Sequence, residues 1–270
     1  NMKIKKKPLV SVIVINYNNS KYIFKSLNSI INQDYQNVEI VFVDDQSTDD
    51  SLKVVRKQNF KKLKIFKTKN KKTYSSFNQL NAIILGFRKS KGSIIFLIDS
   101  DDFFSLKKIS HLVKFYENNS NYKMVLDKPI IYTNSKKFKK FKINSRSKYL
   151  IPWPKFSPQS CLSFRRQYLK EVLKKINVRK YPNIWFDFRA VVQCLIDFKK
   201  IKIINKHLTF YRQSSTSISS KFQKFSKNWW KRRKEAHEYY EYACKINNSR
   251  KITSIDKFLT GIVNFVLYER

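Results

Sequence analysis

Val10-Ser11-Val12-Ile13-Val14-Ile15-Asn16 is apolar at nearly every position and rich in β-branched residues, the pattern of a strand buried on both faces of a parallel sheet. A helix follows it. From Ser20 the residues Ile23, Leu27, Ile30 and Ile31 repeat at three- and four-residue spacing, with Asn18, Asn19 and Ser20 available as caps. Val38-Glu39-Ile40-Val41-Phe42-Val43 is a second buried strand, and Ser47-Thr48-Asp49-Asp50 opens a second helix with a capping-box pattern. A strand at 63–66, a helix at 75–88, a strand at 94–98 and a helix at about 105–117 complete four strand-helix units. Such a series makes an α/β parallel sheet with right-handed crossovers.

After this the rhythm changes. Residues 123–165 carry short strand-like pieces, the basic run Lys136-Lys137-Phe138-Lys139-Lys140 and the prolines Pro152, Pro154 and Pro158, which suits a mixed-sheet and loop region shaping a cleft. Helices are predicted at 166–177 and 184–199, and strands near 201–205 and 208–212. The division expected is a unit over 1–215 and a helical extension over 216–270, interrupted near Asn247-Asn248-Ser249. Within the extension, Trp229-Trp230-Lys231-Arg232-Arg233-Lys234 reads in two ways: an amphipathic helix docking on the core, or an interfacial anchor on an anionic membrane.

Composition bounds the function. The 270 residues are 42% hydrophobic and 15% aromatic, ample for one sizeable core. No run approaches the roughly 18 to 20 apolar residues that span a bilayer, and the N-terminus lacks the apolar core of a signal peptide. The expected location is the cytoplasm, peripheral to the inner face of the cytoplasmic membrane if the extension meets lipid. Cys161, Cys194 and Cys244 are widely spaced, so they read as reduced, buried fillers. The 57 Lys and Arg against 19 Asp and Glu leave +38, a surface attractive to polyanions, acidic headgroups or phosphorylated substrates. Charge alone does not choose among these, and the excess of Lys over Arg equally fits a compositional bias of the source genome, so no specific nucleic-acid partner is assigned.

Absent residues exclude other chemistries. Gly86, Gly92 and Gly261 are too scattered for a phosphate-cradling glycine loop. His111, His207 and His237 form no H-E-x-x-H and have no cysteine at ligand spacing, so a zinc hydrolase is disfavoured. Phosphates must be met otherwise, and a carboxylate-held metal ion is the usual substitute. Carboxylates are indeed concentrated: Asp44, Asp45, Asp49 and Asp50 form one run, and Asp99, Asp101 and Asp102 another. Both begin at the carboxyl end of a predicted parallel strand, where open α/β sheets bind ligands. Unpartnered like charges this close are electrostatically frustrated, and oxygen ligands so placed suit Mg²⁺ or Mn²⁺. Asp49 and Asp50 read as first-turn helix residues and are left out of the site.

Three strings together, Val10 to Asn18, Val41-Phe42-Val43-Asp44-Asp45-Gln46-Ser47-Thr48-Asp49 and Phe96-Leu97-Ile98-Asp99-Ser100-Asp101-Asp102, resemble family-2 glycosyltransferases of the GT-A fold. The resemblance covers roughly residues 8–215. It implies a Rossmann-like, mostly parallel mixed sheet flanked by helices, and inverting transfer from a nucleotide-diphosphate sugar, commonly UDP-linked, with Mn²⁺ or Mg²⁺, to a saccharide or lipid-linked hydroxyl. It sets Asn16 and Tyr17 beside the base, makes Asp45 the uracil partner with Asp44 as its neighbour, and places Asp99, Asp101 and Asp102 in the D-x-D region, one carboxylate on the ribose and another on the metal. Asp187, in Trp185-Phe186-Asp187-Phe188, matches the catalytic base, although Phe186 stands where the family carries an acidic neighbour. Arg212, in Tyr211-Arg212, matches a pyrophosphate contact, with Gln213 and Ser214 where the family has a His. The segment 159–165 matches the acceptor side. Two rival readings stand beside this one: a basic nucleic-acid-binding protein or two-metal nuclease, and a GT-A scaffold that has lost transfer.

Overall fold

The computed structural model describes residues 7–58, 60–133, 138–141, 147–213 and 221–268. Strands β1 (Val10–Asn16), β2 (Val38–Asp44), β3 (Leu63–Lys67) and β4 (Ile94–Asp99) lie parallel in the order β3-β2-β1-β4, joined by α1 (Ser20–Ile31), α2 (Ser51–Lys57) and α3 (Ser75–Lys89). The continuous apolar run of β1 has a direct cause. Ile13 and Ile15 pack with Leu80, Ala82 and Ile83 of α3, while Val12 and Val14 pack with Ile23, Leu27 and Ile30 of α1, so both faces of the strand are covered.

Past β4 come β5 (Phe103–Phe104), α4 (Lys108–Asn118), β6 (Met124–Thr133), β7 (Phe138–Lys140), β8 (Leu162–Arg165), α5 (Arg166–Lys175), α6 (Phe186–Phe198) and β9 (Lys202–Gln213). Here the sheet is mixed, continuing β4-β8-β6-β9-β5 with β7 on β6. The sheet is mixed and, by paired length, mostly parallel, as expected. Among the described residues four pairings are parallel and four, all shorter, are antiparallel, two of these because β8 enters between β4 and β6 against both. The two strands expected at 201–205 and 208–212 are one, β9, which follows β6 across a register irregularity near Lys128. Lys136, Lys137 and Ser214 lie outside the described residues, as do the first six residues and the expected boundary at 215/216.

The capping expectations also change. The helix expected to open at Ser47 begins at Ser51. Asp49 accepts from the backbone N–H of Ser51 and of Ser20, both at 3.0 Å, so one carboxylate serves the starts of α1 and α2. Asp49 and Asp50, expected in the first turn of α2, thus stand ahead of it, Asp50 at the N-cap position. Asn19 does not cap α1 with its side chain; its amide donates instead to Ser100 Oγ at 3.0 Å.

The extension holds α7 (Lys227–Ile246) and α8 (Ile255–Tyr268). α7 is packed onto the rest of the protein: Ala236, Tyr239, Tyr240, Ala243 and Cys244 share a buried cluster with Trp153, Ile184, Phe188 and Val192. Glu235 grips the loop ahead of α6, accepting from Asn183 N at 2.8 Å and Asn183 Nδ2 at 2.5 Å.

One buried ion pair organises the far half of the sheet. Lys108 Nζ lies 2.8 Å from Asp127 Oδ1, both side chains are wholly buried, and Lys108 also donates to Ser160 O at 2.7 Å and Thr209 Oγ1 at 2.5 Å. Asp127 Oδ2 accepts from Thr209 Oγ1 at 2.8 Å and Leu208 N at 3.2 Å. Helix α4, β6, β9 and the turn at 159–161 therefore meet at one charge pair. Lys108→Met is expected to lower stability in urea unfolding by about 3–5 kcal/mol, because it strands a buried carboxylate, while adding Asp127→Leu restores most of the loss. A loss under about 1 kcal/mol would show that the pair does not organise this region.

Candidate active site

The parallel strands end on one side of the sheet, and there the two acidic runs converge. Asn16, the last residue of β1, is fully buried. Its Nδ2 donates to Asp44 Oδ1 at 2.9 Å and Ser47 Oγ at 3.0 Å, and its Oδ1 accepts from Ser100 Oγ at 2.7 Å. It thus pins the loop after β2 to the loop after β4. Asp44, also fully buried, completes its own turn by accepting from Ser47 N at 3.0 Å.

On the β3 side, Asp45 Oδ1 accepts from Thr68 Oγ1 at 2.8 Å. Burial raises the Asp45 carboxyl above its ordinary range, although Thr68 and Lys71 oppose the shift. Tyr17 stands exposed beside it, with Lys71 Nζ 2.8 Å from its hydroxyl and 4.5 Å from its ring centroid. Asp45, Tyr17, Thr68 and Lys71 line one end of the site. Thr68 and Lys71 were not singled out from sequence; their position just past the end of β3 is the signal that would have found them.

On the β4 side, Asp99 Oδ1 accepts from Gln159 Nε2 at 2.6 Å. Burial, then the charges of Asp101 and Asp187, push its carboxyl up to about 8. Asp102 has both oxygens engaged, Oδ1 by Arg212 N at 2.7 Å and Oδ2 by Ser160 Oγ at 2.6 Å, and burial raises it strongly. Asp101 differs. Its carboxyl, raised by burial, is drawn down by its own backbone N–H and the charge of Arg212. Arg212 Nε donates to the Asp101 carbonyl at 3.2 Å, and the guanidinium lies 3.7 Å from the Tyr22 ring centroid and 4.5 Å from that of Tyr132. Two aromatic faces hold it beside the acids.

Asp187 sits in the first turn of α6 and accepts from Phe188 N at 2.7 Å. Burial raises its carboxyl, and Arg232 of α7 opposes this. Arg232, whose ionisation burial lowers, lies 4.9 Å over the Phe222 ring and feels Asp187, Tyr211 and Glu235. The extension therefore contributes a cation to the site, which the sequence did not reveal. Tyr211 marks the centre: after burial, the charges of Asp102, Asp99, Asp187 and Asp101 all raise its phenol. All nine residues expected at the site lie at the strand ends or around Tyr211, Asn16 and Asp44 as buried framing groups. The histidines are elsewhere: His111 meets Lys107 O, His207 meets Pro129 O and His237 meets Asp256.

Among the described residues no three His, Cys, Asp or Glu groups form a protein-only cage. The crowded carboxylates raise one another, and Asp101 keeps oxygen capacity beyond its own backbone N–H, so the donor set suits a hard cation completed by phosphate and water.

Comparisons with known proteins fit this arrangement. An uncharacterized glycosyltransferase of Nostoc sp. is 29% identical over 216 residues, 75% of this chain and 64% of its own length. UDP-Glc:alpha-D-GlcNAc-diphosphoundecaprenol beta-1,3-glucosyltransferase WfaP of Escherichia coli is 34% identical over 109 residues, 40% of this chain and 41% of its own. Among solved structures, S. aureus TarS 1-349 in complex with UDP superposes with a TM-score of 0.62 at 18% identity, covering 86% of this chain and 65% of TarS 1-349. Mannosyltransferase PcManGT from Pyrobaculum calidifontis, in complex with GDP-Man and Mn²⁺, gives 0.58 at 16% identity, covering 97% of this chain and 70% of its own. Both likenesses establish the GT-A fold. The chain spans about two thirds of the length of the Nostoc protein and of TarS 1-349. A sequence profile of Glycosyl transferase family 2 matches residues 11–178, well over half of the chain, and the chain belongs to that family.

Proposed function

We propose that this protein is an inverting glycosyltransferase that moves a sugar from a nucleotide-diphosphate donor, a UDP-sugar, to a hydroxyl of a saccharide or lipid-linked acceptor. The observation that carries the reading is the split site: one end at Tyr17, Asp45, Thr68 and Lys71, and a carboxylate-rich end at Asp99, Asp101 and Asp187, fixed relative to each other by Asn16. The UDP complex of TarS and the UDP-Glc named for WfaP favour a UDP-sugar, and the GDP-Man and Mn²⁺ complex of PcManGT favours a nucleotide-diphosphate sugar with a divalent cation. Residues 1–215 would form the transferase unit, with 216–270 completing its acceptor side through Arg232.

In this proposal Tyr17 stacks on the uracil, Asp45 accepts from its N–H, and Asp99 faces the ribose or sugar hydroxyls. Asn16 and Asp44 act beneath them by fixing the strand ends. Asp101 and Asp102 would hold Mn²⁺ or Mg²⁺, Asp102 being the carboxylate that Ser160 and Arg212 already orient. A bound cation there supplies charge neutralisation for the leaving diphosphate. Arg212 adds fork-like hydrogen bonds to the phosphate oxygens. Asp187 takes the proton of the attacking hydroxyl, and attack from the face opposite the diphosphate inverts the anomeric centre.

Asp187→Asn keeps the shape of the side chain but removes its basicity. Transfer is expected to fall by about 10²- to 10⁴-fold while UDP affinity stays near wild type. Near-normal transfer would remove Asp187 from the mechanism, and loss of UDP binding as well would give it a structural role.

Asp45→Ala is expected to weaken UDP more than inorganic pyrophosphate in calorimetric titration, since its partner is the base. Equal losses would reassign Asp45 to the phosphate end.

A pH dependence follows from the environment of Asp187. Only the ionised carboxylate accepts a proton, and burial raises its pKa above the ordinary value of about 3.9, so kcat should drop as pH falls through a midpoint above that value. Arg232 favours the ionised form, so Arg232→Gln is expected to move this acidic limb to higher pH. An unmoved limb would mean that Arg232 does not act on the base.

A further inference from the structure

Helix α8 is inside out. Asp256, Thr260 and Asn264 recur at four-residue spacing and form the stripe facing the protein, with Thr260 and Asn264 buried. Asp256 pairs with Arg233 and His237, each at 2.6 Å, and Asn264 Nδ2 donates to Trp230 O at 3.1 Å. The apolar residues point the other way. Phe258 is 69% exposed, Phe265 57%, and Leu259, Ile262 and Val266 about half. A Cβ added to Gly261 on the same side would meet nothing within 4 Å. The patch continues beyond the helix, because the N–H groups of Ile255 and Asp256 bond the carbonyls of Tyr149 and Leu150, whose own side chains are exposed. A soluble surface helix normally turns its polar stripe to water, and a contiguous apolar patch of this kind marks a contact surface.

We propose that this face of α8, with Tyr149 and Leu150, seats on the surface of an anionic phospholipid bilayer. Charge selects the occupant. Lys148 lies over the Tyr149 ring at 5.5 Å at one end of the patch. At the other, the Asn264 contact sets the last turns of α8 beside the start of α7, where Lys224, Lys227 and Lys231 are exposed. With +38 on each chain, a second copy is repelled where an anionic surface is attracted. The 14 residues of α8 extend about 21 Å, short of the roughly 30 Å hydrocarbon layer, and among the described residues no helix is long and apolar enough to cross a membrane. The helix therefore lies in the interface, phenylalanines inward and lysines at the headgroups. The Trp229 to Lys234 run, the anchor suggested by sequence, is partly committed elsewhere: Arg232 faces Asp187 and Arg233 holds Asp256. This inference does not depend on the transfer reaction.

Co-sedimentation of the full chain with phosphatidylcholine vesicles, with and without phosphatidylglycerol, tests it. The wild type is expected to partition onto the phosphatidylglycerol vesicles, less so as salt rises. The Phe258→Asp, Phe265→Asp double variant should bind at least about tenfold more weakly, since two rings leave the interface. Both rings are exposed, so its melting temperature and UDP affinity should match wild type; if it unfolds, Leu259→Gln with Val266→Gln replaces it, with the same loss expected. Undiminished vesicle binding by the folded variant would overturn the proposal, as would a wild type that ignores phosphatidylglycerol. A wild-type dimer in sedimentation velocity that the variant dissolves would also overturn it, assigning the face to a second copy.

Discussion

A single buried amide fixes the geometry on which the site depends. Asn16 has no access to solvent, yet its side chain satisfies its hydrogen-bonding needs through Asp44, Ser47 and Ser100. These partners stand on the loops after β2 and β4. The acids at the ends of β2 and β4 are thereby held at one separation. Such preorganisation places reacting groups without ordering them at the moment of binding. The Lys108–Asp127 pair does the same from behind, since Lys108 holds the Ser160 carbonyl while Ser160 Oγ holds Asp102.

The acids divide by what surrounds them. Asp44, Asp49 and Asp102 have their oxygens engaged by the frame, which is how a cation-rich chain tolerates carboxylates at strand ends. Asp99, Asp101 and Asp187 are desolvated and raised by burial, with Gln159, Arg212 and Arg232 respectively as the groups that oppose the shift.

Sequence periodicity made the first half of the fold legible because β1, β2 and β4 are buried on both faces and each crossover helix shows its apolar stripe. It failed where local pattern carries no such information. The antiparallel insertion of β8, the single long β9 and the two-residue β5 are set by long-range pairing. The strand-end acids were legible from charge and position, but Thr68, Lys71 and Gln159 are ordinary polar residues until folding brings them to those acids. Arg232 was hidden differently: it lay in a run that read as a core-docking amphipathic helix or an interfacial anchor, and neither reading singled it out, whereas the fold turns it toward Asp187. For α8 the helix was readable and its facing was not, because a helix wheel does not say which side meets the protein.

The chemistry proposed for this chain rests on where the donor nucleotide sits. A crystal structure with UDP bound tests that placement most directly. The uracil is expected between Tyr17 and Asp45, beside the end of β2, with the diphosphate toward Asp101 and Arg212. A uracil seated at Asp187, or UDP bound away from the ends of β1, β2 and β4, would contradict it.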